Sequence, residues 1–518
     1  MHRRTGGLLL VACLVTYVSA CATGPGVVST DARPIGGSSP ATTAPGAETT
    51  SPTDGSIPSS QSTTSVETVP GAETTTSVGS QRDTGDGIGD TLFPSLGNPG
   101  IDVEHYTLTL HYDPARNDIS ATDHLDMVMT QDRETFTLDS AGPVVSAVSV
   151  DGVPATFAAE APELRITPAT KLTSGQHVAV DVTYTLTPAS VPSASGGPVG
   201  WFPTPGGSYV LNEPEGAHTW MPCNDHPSDT ATFRFELTVP SGSTAVANGA
   251  LVEHTSDVST DTWIWQEDRP MATYLIQLLT GDYELVDGVG PNGLPLLSAV
   301  LHNDRETMQP FLDVIDDQID FFDDFFGPYP LDRYGIAITD SFPGLAMETM
   351  ERPMFSRADF ASGRLDSGQQ LFLSHELAHQ WFGDAVSPAR WKDIWLNESF
   401  ATYGEWMWLD HEGLTSIEDS ALAGLASHER WSTANPTADE LFQVNSYAGG
   451  AVILHALRKT MGDDLFFALL RQWVTDNTGQ SRTTQDFVAL ANKVAGQDLT
   501  QFFATWLYAE QLPAALPG

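Results

Sequence analysis

Residues 375–379 read His-Glu-Leu-Ala-His, and no other pattern constrains the chain as much. On an α-helix, positions i and i+4 lie on one face, so both imidazoles can point at one ion. The stretch Leu365–Phe382 is therefore expected to be helical, stopped by Gly383. A catalytic zinc site takes three protein ligands and leaves one position open. Glu398 follows His379 by nineteen positions, on a second expected helix spanning Ile394–Leu409. Two antiparallel helices joined by a short loop bring such a residue back over the first. The candidate metal ligands are then His375, His379 and Glu398, with Glu376 beside them as the candidate catalytic carboxylate. Paired imidazoles favour one Zn2+ per chain over calcium or magnesium, which prefer all-oxygen sites. The plain alternative for the five-residue motif alone is two histidines on a helix face, one half-buried and one solvated. Glu405 sits seven positions after Glu398 on the same face. It is a candidate partner for the second nitrogen of a ligand histidine, the alternative being a surface glutamate.

The chain begins with a short basic start, His2-Arg3-Arg4, then a nearly apolar run, Leu8–Val18. That run is too short to span a bilayer but fits a signal-peptide core. It ends in Val18-Ser19-Ala20-Cys21, which resembles the lipobox of bacterial lipoproteins. Residues 1–21 are read as a lipoprotein signal with Cys21 as the lipidated residue. The alternative is an ordinary secretory signal cut near Ala20. The expected location is outside the cytoplasm, lipid-anchored to a bacterial cell membrane, or secreted if the lipobox is not used. Residues 22–96 are dominated by Thr, Ser, Gly, Pro and Ala, and PGAETT occurs at both Pro45 and Pro70. Such a stretch buries too little apolar area to offset the entropy of ordering and reads as a flexible tether.

Residues 97–285 alternate with period two, as in Tyr106-Thr107-Leu108-Thr109-Leu110 and Phe233-Arg234-Phe235-Glu236-Leu237. This is expected to be an all-β sandwich or saddle domain. Residues 286–518 change to helical spacing, with helices expected at Met308–Phe326, Tyr447–Lys459, Asp463–Thr475 and Thr484–Val494. A short strand is expected near Gly335–Ile338. The 66 acidic against 23 basic side chains give a net charge of −43, which repels phosphates and argues against nucleic-acid partners. Two of the three cysteines lie within the first 21 residues, so Cys223 has no partner for a disulfide inside the folded part.

HELAHQWFGDAV followed by WKDIWLNESFATYGEW is similar to the aminopeptidase N-like gluzincin family. Three further segments extend the resemblance, which runs in family order from about Asp102 to Leu512. Phe342–Thr349 resembles the family's G-x-M-E-N exopeptidase loop. Glu213-Pro214, ten positions before Cys223, resembles its N-terminal-domain loop. Ser446–Ala451 resembles the segment that carries its catalytic tyrosine. The implied fold is multidomain α+β: an N-terminal all-β domain, then a thermolysin-like, mainly helical catalytic domain with a small mixed sheet. The implied activity is hydrolysis of N-terminal residues from peptides. Glu376 would act as general base and Tyr447 would stabilise the oxyanion. Glu213 and Glu348 would bind the free amine, with Ala346 and Met347 lining the substrate groove. Read without the resemblance, Tyr447 is a tyrosine near a helix start, and both glutamates are loop carboxylates.

The match departs in places. Leu345 replaces the loop's first glycine, Thr349 its asparagine, and Ser399 the glycine after the ligand glutamate; Gly449 replaces a frequent lysine. The sequence ends at Gly518, so the expectation is a monomeric member lacking the large helical C-terminal domain of many relatives, with a more open active site. The alternatives are a zinc endopeptidase or other zinc hydrolase on the same scaffold, or a non-catalytic cell-surface binding protein.

Overall fold

Side-chain alternation builds the first half of the protein, seen here in a computed structural model that describes residues 87–518. The signal segment with Cys21, and the tether through residue 86, lie outside the described residues. In strand Ile101–Asp113, Tyr106, Leu108, Leu110 and Tyr112 are buried, while Thr109 and His111 face solvent. One buried and one wet face is the pattern of a sheet packed on a core. This strand is central in an eight-stranded sheet. It pairs antiparallel with Asp118–Met129 and parallel with Ala231–Pro240. A five-stranded sheet from Thr244–Ala247, Leu278–Gly281, Gly207–Leu211, Pro198–Thr204 and Ser190–Pro192 and a three-stranded sheet complete the β-rich half. Cys223 is buried and free.

The second half opens with a mixed five-stranded sheet, in order Tyr283–Val289, Pro295–Leu301, Ala337–Thr339, Met354–Ser356 and Ala346–Met347. The edge strand Ala346–Met347 delivers Glu348. Helices Ser367–His379, Trp395–His411, Gly450–Met461, Asp463–Asn477 and Thr484–Ala495 follow. Among the described residues no helix is long and apolar enough to cross a membrane.

Three boundaries differ from the sequence expectation. The break at 285 falls inside strand Tyr283–Val289, whose only named partner, Pro295–Leu301, belongs to the second half. The run Met308–Phe326 forms two helices, Arg305–Asp313 and Ile315–Phe326, with Pro310 inside the first and the break at Val314. The tether does not extend to 96. Phe93 and Leu96 are buried in the core of the β-rich half, and Asp90 is 4% exposed. The Asp90 carboxylate accepts from Leu92 N, Phe93 N and Trp391 N, and it pairs with His226 at 3.3 Å. Burial opposes its charge, but these bonds, His226 first, bring its carboxyl down to about 2. Truncation after residue 86 is therefore expected to leave the melting temperature unchanged. Truncation after residue 98 exposes the sites of two large apolar side chains, each worth about 1.5–3 kcal/mol, and should lower Tm by about 5 °C or more. Differential scanning calorimetry of the two truncated proteins checks this.

Candidate metal centre

The helix Ser367–His379 has no β-branched residue, and Asp366 starts it with a capping box that includes Gln369. Leu373 through His379 are all buried, so the helix runs through the interior and its polar residues need partners there. It ends in a wide turn, Gln380–Asp384, in which Phe382 and Gly383 leave helical geometry. Gly383 has φ +131°, and a Cβ there would approach Asn397 Nδ2 to 3.1 Å. This turn aims the Phe382 carbonyl at His379 Nδ1, 3.1 Å away. The helix Trp395–His411 is buried from Trp395 through Leu409. It brings Glu398 to the metal helix as the sequence spacing predicts.

His375 Nε2 and His379 Nε2 each lie 3.3 Å from Glu398 Oε2. The donor atoms of the three residues all fall within 4.8 Å of one another. Glu405 is buried, not a surface glutamate, and its Oε2 lies 3.3 Å from His375 Nδ1. Both outer nitrogens are thus occupied, which leaves both Nε2 atoms facing inward in the tautomer a metal needs. Burial pushes the Glu398 carboxyl up, but the facing imidazoles of His375 and His379 outweigh it and bring it to about 2. Glu376, 5% exposed, groups within 4.8 Å with Glu348 and His379. Burial raises its carboxyl to about 7.

Tyr447 stands in a wide turn, Asn445–Gly449, just before helix Gly450–Met461. Its hydroxyl donates to Glu398 Oε1 at 2.8 Å. Ser399, the substituted glycine, has a use here. Its hydroxyl donates to Ser446 O at 2.6 Å and so ties the glutamate helix to the tyrosine turn. Gly450 makes room for it, since a Cβ at 450 would lie 1.7 Å from Ser399 Oγ.

Glu213, from the β-rich half, and Glu348, after the edge strand, are both drawn into this region. Burial first, then the neighbouring carboxylates Glu348 and Glu398, push the Glu213 carboxyl well up. Burial also raises Glu348, against the pull of His379. Oε1 of each is buried and finds no hydrogen-bond partner among the described residues. Met347 is buried and Ala346 half-buried.

Residues that sequence reasoning missed complete the surroundings. Tyr274 OH donates to Gly383 O at 3.2 Å and accepts from Asn397 Nδ2 at 3.1 Å, so the β-rich half braces the end of the metal helix. Asp384 is buried near Glu348 and Glu376, and burial pushes its carboxyl well up. Asn397 and Asp384 adjoin motif residues in sequence, which was the available signal. Tyr274 had none.

Residues 311–506 match the peptidase family M1 domain, and residues 102–275 match the peptidase M1 N-terminal domain. The crystal structure of the M1 zinc metallopeptidase from Deinococcus radiodurans is 31% identical, with a TM-score of 0.75. The match covers 83% of this chain and 99% of that one. This chain belongs to the M1 family of zinc metallopeptidases. A mutant of the Deinococcus M1 enzyme bound to a Tyr-Ser-Ala substrate is 30% identical at a TM-score of 0.75, over 83% of this chain and 99% of that one. Aminopeptidase M1-C of Oryza sativa subsp. japonica is 26% identical over 323 residues, 57% of this chain. The matched region spans 36% of that relative's length.

One catalytic Zn2+ is the M1 cofactor, and the donors here fit it. Ligands at about 2.0–2.1 Å from a tetrahedral zinc lie about 3.3 Å apart, as both imidazole nitrogens do from Glu398 Oε2. Glu405→Ala is expected to weaken zinc affinity about 10–100-fold, because His375 loses the partner that fixes its tautomer. Competition with a zinc-chelating dye checks this.

Proposed function

We propose that the chain is an aminopeptidase that removes single residues from the free amino terminus of peptides. The observation that carries this reading is a pair of carboxylates, half-buried Glu213 and buried Glu348. The Oε1 atom of each is buried without a hydrogen-bond partner among the described residues, and both lie near the His375–His379–Glu398 cluster. An N-terminal ammonium would satisfy both by charge-assisted hydrogen bonds and fix the cut one residue in. The Deinococcus relative with a bound Tyr-Ser-Ala substrate supports peptides as the substrate class.

His375, His379 and Glu398 would hold the zinc ion, which when bound acts as a Lewis acid toward the scissile carbonyl and lowers the pKa of water. Glu376 takes the proton of the attacking water and returns it to the leaving amine. Tyr447 OH, now on Glu398 Oε1, exchanges that acceptor for the developing oxyanion. Ala346 and Met347 line the groove along the edge strand. Mass spectrometry of an unblocked decapeptide digest tests the reading. A ladder of products shortened one residue at a time from the amino end is expected. Internal fragments would favour an endopeptidase and sink it.

We also propose, from the sequence alone, that the enzyme acts outside the cytoplasm, anchored by lipid on Cys21. The small residues before Cys21 and the apolar run Leu8–Val18 support it. Cys21→Ser should move the protein from the membrane pellet to the soluble fraction.

A further inference from the structure

Thr349 stands next to Glu348, where the family loop leads one to expect asparagine. It is 1% exposed, as is Gln277 from the β-rich half, and Arg352 is 0% exposed. Gln277 Nε2 donates to Thr349 Oγ1 at 3.0 Å and to Arg352 O at 2.5 Å. Thr349 Oγ1 donates to the same Arg352 carbonyl at 2.7 Å. Gln277 Oε1 accepts from Arg352 Nη1 at 3.1 Å, which fixes the orientation of the amide. The Arg352 guanidinium also donates to the carbonyls of Leu297, Ala247 and Gly249 and lies 5.2 Å from the Trp265 ring centre. The Gln277 backbone is held as well, since its N–H donates to Asn248 Oδ1 at 2.6 Å. Asn248 Nδ2 in turn donates to Met350 O at 3.0 Å. On the far side of the loop, Glu351 N donates at 2.8 Å to Oε1 of Gln380, the residue after His379.

Glu348 Oε1 finds no partner among the described residues. No hydrogen bond therefore holds Oε1, and the carboxylate is aimed from its backbone, through the Glu348 N–H that bonds it and the segments on either side. On one side is the short edge strand. On the other are Thr349 and the buried clamp that grips it. We propose that Gln277, acting through Thr349 with Arg352 as its anchor, is a positioning residue for Glu348 and hence for recognition of the substrate amine. The clamp reaches the loop threonine from another part of the chain, 72 positions away in sequence. It also makes amine binding depend on the β-rich half through a residue that does not touch substrate. This inference rests on the aminopeptidase reading above.

The test uses Gln277→Glu, Thr349→Val and Thr349→Ser. The first keeps the side-chain volume and the acceptor for Arg352 but removes the Nε2 donor. The second removes the hydroxyl. The third keeps it. KM and kcat are measured for an aminoacyl fluorogenic substrate and its N-acetylated twin, with zinc content read on the same samples. Loosening an interaction used for ground-state binding appears in KM. Gln277→Glu and Thr349→Val should raise KM for the free amine about tenfold, about the value of one or two buried hydrogen bonds. Their kcat should stay within about threefold, zinc should stay at one per chain, and preference for the free amine should narrow by the same factor as KM. Thr349→Ser should behave as wild type, and Thr349→Val carries the test alone if Gln277→Glu fails to fold. Folded, zinc-loaded variants with unchanged KM and preference would overturn the proposal while leaving the aminopeptidase reading intact. So would a fall in kcat with KM and preference unchanged, since that marks a purely structural role. A wild-type enzyme with no preference for the free amine would overturn both.

Discussion

Glu376→Gln is expected to lower kcat by about two to four orders of magnitude, the usual contribution of a positioned general base. It should do so with one zinc still bound per chain. The glutamate is not among the three donors that surround the metal position, so the change should not empty the site. Glutamine keeps the volume of a side chain that is 5% exposed, so packing survives. What is lost is a group able to hold a proton between water and leaving amine, on the flank of the site shared with Glu348 and His379. Stopped-flow kinetics with parallel metal analysis makes the separation. Activity within a few-fold of wild type in the zinc-loaded variant would remove Glu376 from the mechanism.

Glu398→Ala should have the opposite signature: zinc is lost first and activity with it. Oε2 of Glu398 is the one atom that approaches both imidazoles at 3.3 Å. Without it two neutral nitrogens remain, one short of the three ligands a catalytic zinc takes. The loss should extend to stability. Glu348, Glu376, Asp384 and Glu405 are buried in and around the site beside half-buried Glu213, and desolvation pushes the carboxyl of each up. A divalent cation offsets that crowding of acid. Binding at about a thousand times Kd adds about 4 kcal/mol to folded-state stability. Chelation of the wild type should therefore lower Tm, and added zinc should restore it. Glu398→Ala should melt like the chelated wild type with or without zinc. A zinc-dependent Tm in that variant would show that Glu398 is not a ligand.

The grouping of the candidate ligands was legible because their geometry is local: two histidines one turn apart, and a glutamate on the next helix. Glu405 was half legible. Its face was readable, but its burial depended on how the helix Trp395–His411 sits inside the domain. The β-rich half was legible from alternation, as in Ile101–Asp113. Its parallel pairing with Ala231–Pro240 was not, because no short-range signal joins strands so far apart. The folded part starts earlier than composition suggests. Phe93 and Leu96 are two apolar residues at the end of a polar, low-complexity run, and only their docking against distant strands gives them a core. Gln277 and Tyr274 lie in an ordinary β-rich stretch. Their roles come from hydrogen bonds that span 72 to 123 positions. In one dimension Ser399 and Thr349 read only as departures from the family pattern. In three dimensions each hydroxyl makes a buried bond that holds a functional segment.

In the proposed function, zinc chemistry is directed at a free amino terminus. The most direct measurement compares hydrolysis of an aminoacyl fluorogenic substrate with that of its N-acetylated twin, before chelation, after it, and after zinc is restored. The predicted result is cleavage of the free-amine substrate alone, abolished by the chelator and recovered with one zinc per chain. Equal cleavage of both substrates, or activity that survives removal of the metal, would contradict it.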